Sequence, residues 1–193
     1  ALDKVVPYSD LPIQHISEPL LRAMGRKSSR GQIEALITRL RIRIPGLALR
    51  TSLIVGFPGE GEREFQELCD FVRQIRFERL GVFSYSQEEG TPAEAWPRSV
   101  SEEEKEARLQ EIMAIQAELS LQHNRGLIGR RLQVLVDQPG EEPGTCLART
   151  VWDAPEIDNS VIVSGELAPG SFAMVRITGA APYDLYAEPA GDD

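Results

Sequence analysis

The sequence predicts an α/β unit with parallel strands, followed by a small antiparallel β-barrel. In residues 1–98, strand-like and helix-like segments alternate, which is typical of parallel strands joined by crossover helices. From Gly126 onward, short alternating segments are separated by Pro-Gly turns, a pattern that indicates a barrel or sandwich of OB-like size. We therefore expect a partial α/β barrel over 1–98, a linker helix over 99–124 and a small β-barrel over 125–189.

The elements of the front part follow from apolar spacing and from chain breakers. Apolar residues three and four positions apart predict helices after Ser17, over 33–44 and over 65–75. Aliphatic runs predict buried strands over 47–55 and 79–85. In folds with parallel strands, chemistry gathers where the strands end at their carboxyl side. The strand ends predicted here are Gln14-His15, Val55 to Glu60, and Ser84 to Ser86 with Glu88 to Thr91.

The rear part begins with one long helix and continues with short strands. Ser101 and Glu104 match a capping box, and an apolar stripe follows them. The other faces of this segment are charged or polar, so we expect a solvated linker helix. The alternating stretches after it cover residues 132–136, 161–163 and 172–177.

Composition excludes several classes of protein. Apolar residues make up 41% of the 193 residues and charged residues 26%, which fits an ordinary folded domain and not a disordered chain. No apolar run reaches the roughly 18 residues that a membrane span requires. The two cysteines, Cys69 and Cys146, form neither a disulfide framework nor a metal motif, so we expect a cytoplasmic protein. The chain starts almost inside a patterned segment without a methionine, which suggests a fragment.

The acidic charge is concentrated in the rear part. The net charge is −9, and it argues against a protein that coats nucleic acid. Residues 123–193 hold five arginines against eleven acids, whereas residues 1–98 are close to neutral. We therefore expect the rear part to favour a basic protein partner over RNA.

The residues that could carry chemistry each have an ordinary structural explanation. His15 and His123 are the only histidines, and a lone histidine more often packs or donates a hydrogen bond than binds a metal. Cys69 lies on the apolar stripe of a helix, where a thiol is usually inert. The segment from Val55 to Glu60 is either a tight turn or a loop that exposes backbone to a ligand.

Arg50 is the residue that most needs an explanation. It interrupts a strand that is otherwise apolar, so its guanidinium requires a partner, either an acid or the carboxylate of a ligand. The chain contains no P-loop, no dinucleotide-binding glycine motif, no serine nucleophile elbow and no zinc motif. Residue patterns alone therefore predict a pocket at the strand ends without naming its ligand.

Eight blocks of sequence occur in the order found in a known enzyme family. The blocks are Pro12–Ser17, Leu21–Arg26, Leu49–Glu60, Gly81–Ser86, Glu88–Thr91, Ala148–Asp158, Pro169-Gly170 and Tyr183–Tyr186. Together they resemble the radical-SAM methylthiotransferases. The tail blocks, from Ala148 onward, resemble the RimO-type branch, which modifies an aspartate of small-subunit ribosomal protein uS-twelve (uS12). The tRNA-modifying branch is the alternative, and it typically has Gln-Ser-Gly-Ser where this chain has Gln14 to Ser17.

The resemblance implies a fold, two cofactors and a reaction. The fold would be the second half of an open radical-SAM (β/α) barrel, TIM-like, followed by a TRAM domain. In the family, an iron–sulfur cluster reduces S-adenosylmethionine (SAM), and the resulting radical activates the aspartate β-carbon for methylthiolation. The family uses two [4Fe–4S] clusters, but its C-x3-C-x2-C motif is absent from this chain. We therefore expect the cluster ligands to lie upstream of Ala1 and this chain to be inactive alone.

The resemblance and the strand-end positions together nominate residues for binding SAM. We expect Gln14 and His15 to contact ribose or methionyl groups and Arg50 to pair with the methionyl carboxylate. We expect the adenine and the pocket edge to be contacted by Val82, Phe83, Tyr85 and Ser86.

The rear part supplies a candidate docking surface for the protein substrate. The stretch Trp152 to Asp158 places an aromatic residue among acids, which suits an arginine or lysine of a basic partner such as uS12. The predicted docking residues are Trp152, Asp153, Glu156 and Asp158. The cluster could instead cap a turn, and the rear part could act as an RNA-binding module without catalysis. We expect a monomer with no membrane contact and no direct nucleic-acid substrate.

Overall fold

The computed structural model describes residues 5–96 and 100–191, and these form two compact units. One unit, called here the α/β unit, comprises residues 9–116. The other, called here the barrel unit, contains the residues up to Tyr8 and those from Ala117 onward. The division falls inside the long helix, between residues 116 and 117, whereas the sequence predicts a separate linker helix.

The α/β unit is built from alternating strands and helices. Its sheet has the order β1-β2-β3, and β2 runs parallel to β3 with Arg50 opposite Arg79. The parallel arrangement predicted from the alternation is therefore present. The elements are β1 Tyr8–Asp10, α1 Glu18–Ala23, α2 Arg30–Arg43, β2 Ala48–Val55, α3 Glu62–Ile75, β3 Arg79–Ser84, a 3-10 helix Pro92–Ala95, and the start of α4 Glu102–Arg125.

The first strand is shorter than the sequence predicts. It ends at Asp10, and Gln14 makes only an isolated parallel bridge to Leu53. Gln14 has a φ of 74°, a left-handed conformation that a regular strand cannot contain. Its backbone still joins the sheet, since its amide donates to Ser52 and its carbonyl accepts from Ile54.

Strand β2 separates a covered face of the sheet from an open one. Leu49, Leu53 and Val55 are fully buried, whereas Arg50 and Ile54 between them are half-buried. Side chains alternate across a strand, so the arginine that interrupts the apolar run projects to the more open face. Arg50 is therefore kept out of the apolar core on the covered face of the sheet.

Helix α4 has exposed charged faces, as predicted, but two of its cations lie on the buried stripe. Lys105 and Arg108 are only 6% and 5% exposed, and Ile112 and Gln116 are buried on the same stripe. Ser101 does cap the helix, because its hydroxyl accepts from the Glu104 amide at 3.2 Å. The buried stripe therefore extends further toward the start of the helix than its apolar residues predict, since the α/β unit encloses both cations.

The barrel unit contains a closed five-stranded barrel with the order β4-β5-β6-β8-β7. All neighbouring pairs are antiparallel except β6 and β8, which are parallel. Valines at alternate positions of β4 and β6 form the core with Val175 and Ile177 of β7 and with Leu185 of β8. The strands are β4 Arg131–Pro139, β5 Thr145–Arg149, β6 Ser160–Ser164, β7 Phe172–Ala180 and β8 Asp184–Pro189.

None of the helices within the described residues is long and apolar enough to cross a membrane.

Candidate functional site

The carboxyl ends of β2 and β3 lie side by side and lead into two loops. After Val55 the chain turns through Gly56 and Gly59, whose φ angles of 74° and 93° favour glycine. The amide of Tyr85, just beyond β3, donates to the Val55 carbonyl at 2.8 Å. The predicted strand ends at Val55 and Ser84 are therefore adjacent, as the parallel fold requires.

Glu60 closes the loop that follows β2. Its side chain is buried, and Oε2 accepts hydrogen bonds from the amides of Gly56 at 2.5 Å and Phe57 at 3.3 Å. Burial raises the pKa of this carboxyl to about 6, although Arg108 and the two amides stabilise its charged form. The loop from Gly56 to Glu60 is thus folded around one enclosed carboxylate.

Arg108 of α4 supplies the cation for that carboxylate. One of its guanidinium nitrogens lies 3.3 Å from Glu60 Oε1 and also donates to the Glu60 carbonyl at 3.1 Å. Another pairs with Glu104 one turn earlier on the helix. The guanidinium carbon lies 5.3 Å from the centre of the Phe65 ring. Arg108 therefore contacts both the side chain and the backbone carbonyl of Glu60.

Lys105 lies one turn before Arg108 and contacts both strand ends. Its ammonium donates to the Tyr85 carbonyl at 3.0 Å and pairs with Glu102 at 2.6 Å. Its aliphatic stem covers Gly56 so closely that a Cβ added there would lie 2.2 Å from Lys105 Cγ. Only glycine fits at position 56 while Lys105 keeps this conformation.

Substituting Gly56 by alanine is expected to destabilise the protein more than substituting Gly25. Both glycines have nearly the same φ, 74° and 73°, so a left-handed alanine costs about 1–2 kcal/mol at either position. Only Gly56 has a close neighbour, and overpacking against Lys105 adds about 1–3 kcal/mol. Urea unfolding of Gly56→Ala and Gly25→Ala gives the comparison. Equal losses in the two variants would contradict the contact with Lys105.

His15 is fully buried and accepts two backbone hydrogen bonds. Its Nδ1 lies 2.9 Å from the amides of both Ile16 and Ser17, so the ring proton of the neutral form resides on Nε2. Burial, together with the charge of Arg108, lowers the pKa of His15 to about 4. Among the described residues, Nε2 has no hydrogen-bond partner. The ring is neutral at physiological pH, and its contact with SAM stays a prediction.

Arg50 has the acidic partner that the sequence analysis left open. Its guanidinium lies 2.8 Å from Asp10 Oδ2 and 3.4 Å from Ser52 Oγ. The Asp10 side chain is 44% exposed, so the pair lies at the edge of the open face of the sheet and not in the core. An exposed aspartate can be exchanged for another carboxylate, so the ligand alternative also stays a prediction.

The remaining nominated residues divide between the two faces of the sheet. Phe83 pairs with Ile54 on the face of Arg50 and is 55% exposed. Val82 pairs with the buried Leu53, so it projects to the opposite face. The two side chains cannot line one pocket. Only the backbone of Val82 could approach a ligand held against Phe83.

Beyond β3, aromatic rings surround a small cavity at the strand ends. The rings of Phe57 and Tyr85 meet edge to face at 5.0 Å, and Trp96 packs on Phe57 at 5.7 Å. Ser86 is exposed and donates to Glu88 at 3.4 Å. The cavity has a volume of about 150 Å³, and its walls include Gly56, Pro58, Tyr85, Trp96 and Lys105.

The nominated docking residues of the barrel unit mostly hold their own loop together. Asp153 is buried, and its Oδ2 accepts from the Thr150 hydroxyl at 2.5 Å and the Thr150 amide at 3.2 Å. Asp158 accepts from the Tyr8 hydroxyl at 2.7 Å and the Ala154 amide at 2.9 Å. These contacts favour the turn-capping alternative for both aspartates. These contacts do not test whether the cluster docks a partner, so its docking role stays a prediction.

The other two nominated docking residues differ in exposure. Trp152 packs, half-buried, against the barrel core. Glu156 is exposed at a left-handed position with a φ of 65°. Glu156 is therefore the acid of this cluster that a partner could reach directly.

The thiols do not fit an iron–sulfur cluster. Cys69 and Cys146 are both buried and belong to different compact units. Burial, followed by the nearby Glu111 carboxylate, raises the pKa of Cys69 to about 12, which disfavours the thiolate that a cluster needs. Within residues 5–96 and 100–191, no group of three histidine, cysteine or acidic side chains is placed to hold a metal ion.

Glu60, Lys105 and Arg108 are not among the residues nominated from the sequence, although Glu60 lies in a predicted strand-end loop. The signal was nevertheless present in α4. Lys105 and Arg108 continue the apolar stripe of Ile112 and Gln116 at helical spacing, so both cations occupy positions that face a core. A charged residue at such a position requires a buried partner, as Arg50 did in the strand.

The comparisons with known proteins agree with this architecture. Residues 128–189 match the TRAM domain family. The chain is 48% identical over 188 residues to "Ribosomal protein uS12 methylthiotransferase RimO" of Porphyromonas gingivalis (strain ATCC 33277), a match that covers 95% of the chain. It is 50% identical over 187 residues to the protein of the same name from Pelobacter propionicus, covering 96% of the chain. The chain is homologous to the RimO-type methylthiotransferases.

The match covers only part of these RimO relatives. The chain spans 43% of the Porphyromonas protein and 42% of the Pelobacter protein. Among solved structures, coproporphyrinogen III oxidase (HemN) from Escherichia coli, described as a radical SAM enzyme, superposes with a TM-score of 0.51. That match covers 59% of this chain and 27% of HemN at 21% identity, so it concerns the fold alone. The predicted RimO-type relationship and fold class are confirmed.

Proposed function

We propose that the whole protein, meaning the product of the complete reading frame, methylthiolates the β-carbon of an aspartate in ribosomal protein uS12 by a radical-SAM mechanism. The observation that carries this proposal is the identity of 48–50% to uS12 methylthiotransferases along almost the entire chain. This chain contributes part of the SAM pocket and the TRAM barrel. The protein acts as a monomer in the cytoplasm.

Residues of β2 and β3, and residues that follow β1 and β3, supply the groups that would hold SAM. Arg50 would bind the methionyl carboxylate, Gln14 and His15 would contact ribose or methionyl groups, and Phe83 and Tyr85 would offer aromatic surface to the adenine. Ser86 and the backbone of Val82 complete the edge. SAM and two [4Fe–4S] clusters would supply the radical chemistry. The residues of this chain would bind and orient SAM and shield it from water. The cluster ligands belong to the part of the protein outside this sequence.

The reaction is tested with the whole protein and purified uS12. Anaerobic reconstitution with iron and sulfide is followed by SAM, dithionite and uS12. Mass spectrometry of uS12 peptides is expected to show one hydrogen of an aspartate replaced by SCH₃. Modification of tRNA in place of uS12 would reassign the enzyme to the tRNA-modifying branch.

Replacing Arg50 by alanine is expected to weaken SAM binding more than it weakens folding. A charge-assisted contact to a carboxylate contributes roughly 1.5–3 kcal/mol, or about ten- to hundredfold in affinity. Calorimetric titration of the whole protein measures this, with Asp10→Asn as the matched control because it removes the ion pair and keeps the guanidinium. Unchanged SAM affinity with a large fall in melting temperature for both variants would mean that Arg50 serves the fold.

The barrel unit is proposed to dock the basic uS12 through exposed acids, of which Glu156 is the test case. Glu156→Gln is expected to weaken uS12 binding by about two- to fivefold, the range for an exposed charge. Glu141→Gln is the control, because Glu141 is also exposed. Binding of wild type should weaken between 0.1 M and 1 M salt, where the Debye length falls from about 10 Å to about 3 Å. Tight tRNA binding without uS12 binding would overturn the docking proposal.

A further inference from the structure

We propose that Arg108 and Lys105 of helix α4 are positioning residues for the cofactor pocket. They hold the loop from Gly56 to Glu60 and the start of the segment after β3 in the shape that the pocket requires. This inference rests on the proposed function, because it assigns these two cations to the SAM pocket.

The ion pair between Arg108 and Glu60 fixes the loop after β2. Both side chains are almost fully enclosed, at 5% and 0% exposure. The carboxylate is held on one side by two loop amides and on the other by the guanidinium, which also binds the Glu60 carbonyl. Without Arg108, the buried carboxylate would lose its cation and would have to take up a proton or turn toward water. Protonation weakens the hydrogen bonds from the amides of Gly56 and Phe57, and turning toward water breaks them.

Lys105 fixes the relation between the two strand ends. Its stem presses on Gly56 at the end of β2, and its ammonium binds the Tyr85 carbonyl beyond β3. The ammonium also lies 5.5 Å from the centre of the Tyr85 ring. These two residues and Lys105 itself are walls of the same cavity. Movement of the lysine therefore changes the shape of the cavity directly.

The type of contact argues for a positioning role beyond plain stability. Buried ion pairs are often no more stabilising than apolar residues of similar volume, because both charges lose their hydration. Such a pair does, however, restrict the orientation of both side chains, because charge-assisted hydrogen bonds form only within a narrow range of geometries. Here the pair restricts the conformation of a glycine-containing loop at the carboxyl end of a parallel strand, where ligands bind in this class of fold.

The first measurement uses the 193-residue chain and the substitution Arg108→Met, which keeps the length of the side chain and removes its charge. Hydrogen–deuterium exchange at the amides of Gly56 and Phe57 is expected to accelerate about tenfold or more, as local opening becomes easier. Exchange at the Leu53 amide, inside β2, should not change. The control is Arg63→Met, because Arg63 is 84% exposed and pairs with Glu67 of its own helix.

The second measurement uses the reconstituted whole protein and reads SAM affinity by calorimetry. Arg108→Met is expected to raise the Kd for SAM about tenfold, with kcat at saturating SAM little changed. Arg108→Lys, which keeps the charge but not the two-point contact, should restore part of the affinity. If Arg108→Met does not fold, Lys105→Met provides the same test at the other contact.

The outcomes separate this inference from the proposed function. Faster loop exchange with unchanged SAM affinity would overturn the positioning role and leave a purely structural ion pair. Unchanged exchange in Arg108→Met would overturn it as well. Failure of the wild-type whole protein to bind SAM would overturn the proposed function and this inference together. Wild-type binding with a selective loss in Arg108→Met and rescue by Arg108→Lys supports the inference.

Discussion

The 193-residue chain is expected to form no 5′-deoxyadenosine above background when it is incubated anaerobically with iron, sulfide, SAM and dithionite. A [4Fe–4S] cluster that binds SAM needs thiolates brought close together. The chain has two cysteines, both buried, in separate compact units. The raised pKa of Cys69 further disfavours its thiolate. The expected effect is complete loss of SAM cleavage relative to the whole protein.

Product analysis by liquid chromatography checks this expectation. The whole protein under the same conditions is the positive control. The double variant Cys69→Ser with Cys146→Ser is the negative control, since any iron bound adventitiously to the thiols is removed with them. Stoichiometric cluster absorbance together with SAM cleavage by the unmodified chain would contradict the expectation.

Acidification is expected to destabilise the wild-type chain through His15, and His15→Asn should remove that contribution. The folded pKa of about 4 lies below the ordinary value of 6.5, so the unfolded chain binds the proton first. The stability from His15 is therefore present above pH 6.5 and lost as the pH falls toward 4. A shift of this size corresponds to roughly 3 kcal/mol. The asparagine side chain can still accept a hydrogen bond from the backbone amide two residues ahead, that of Ser17.

Glu60 opposes this effect within part of the same pH range. Its folded pKa of about 6 lies above 4.5, so its contribution is present below pH 4.5 and lost as the pH rises through 6. The difference between wild type and His15→Asn isolates the histidine, because Glu60 is present in both. Urea unfolding at a series of pH values gives this difference, with His123→Asn as the exposed control. A difference that does not change between pH 6.5 and 4 would contradict a buried neutral His15.

The local elements were predictable because they depend on short-range spacing. The apolar spacing of α3 and the aliphatic run of β2 were assigned correctly, and so was the parallel order of β2 and β3. Gln14 was harder to predict. Its pattern resembles a strand end, but its left-handed backbone interrupts the ladder, and nothing in the residues near it marks that conformation.

The candidate site was predicted in location and only partly in composition. Strand ends are set by topology, so the loop from Val55 to Glu60 could be nominated from the sequence. The buried Glu60–Arg108 pair joins residues 48 positions apart, and such a pairing leaves no local pattern. Asp153 and Asp158 show the reverse case, because acids that look like a docking surface in the sequence are engaged within their own loop.

The sequence by itself determined the division into a parallel α/β part and a β-barrel, the RimO-type relationship and the position of the strand-end loops. These features depend on the periodicity of apolar residues, on turn residues and on blocks of sequence similarity, all of which are local properties of the sequence. Only the tertiary structure decided which charges are buried and with whom they pair. The physical reason is the free-energy cost of removing a charged side chain from water. For Lys105, Arg108 and Glu60 this cost is offset by partners that are distant in sequence, and only the packing of the folded chain brings those partners together.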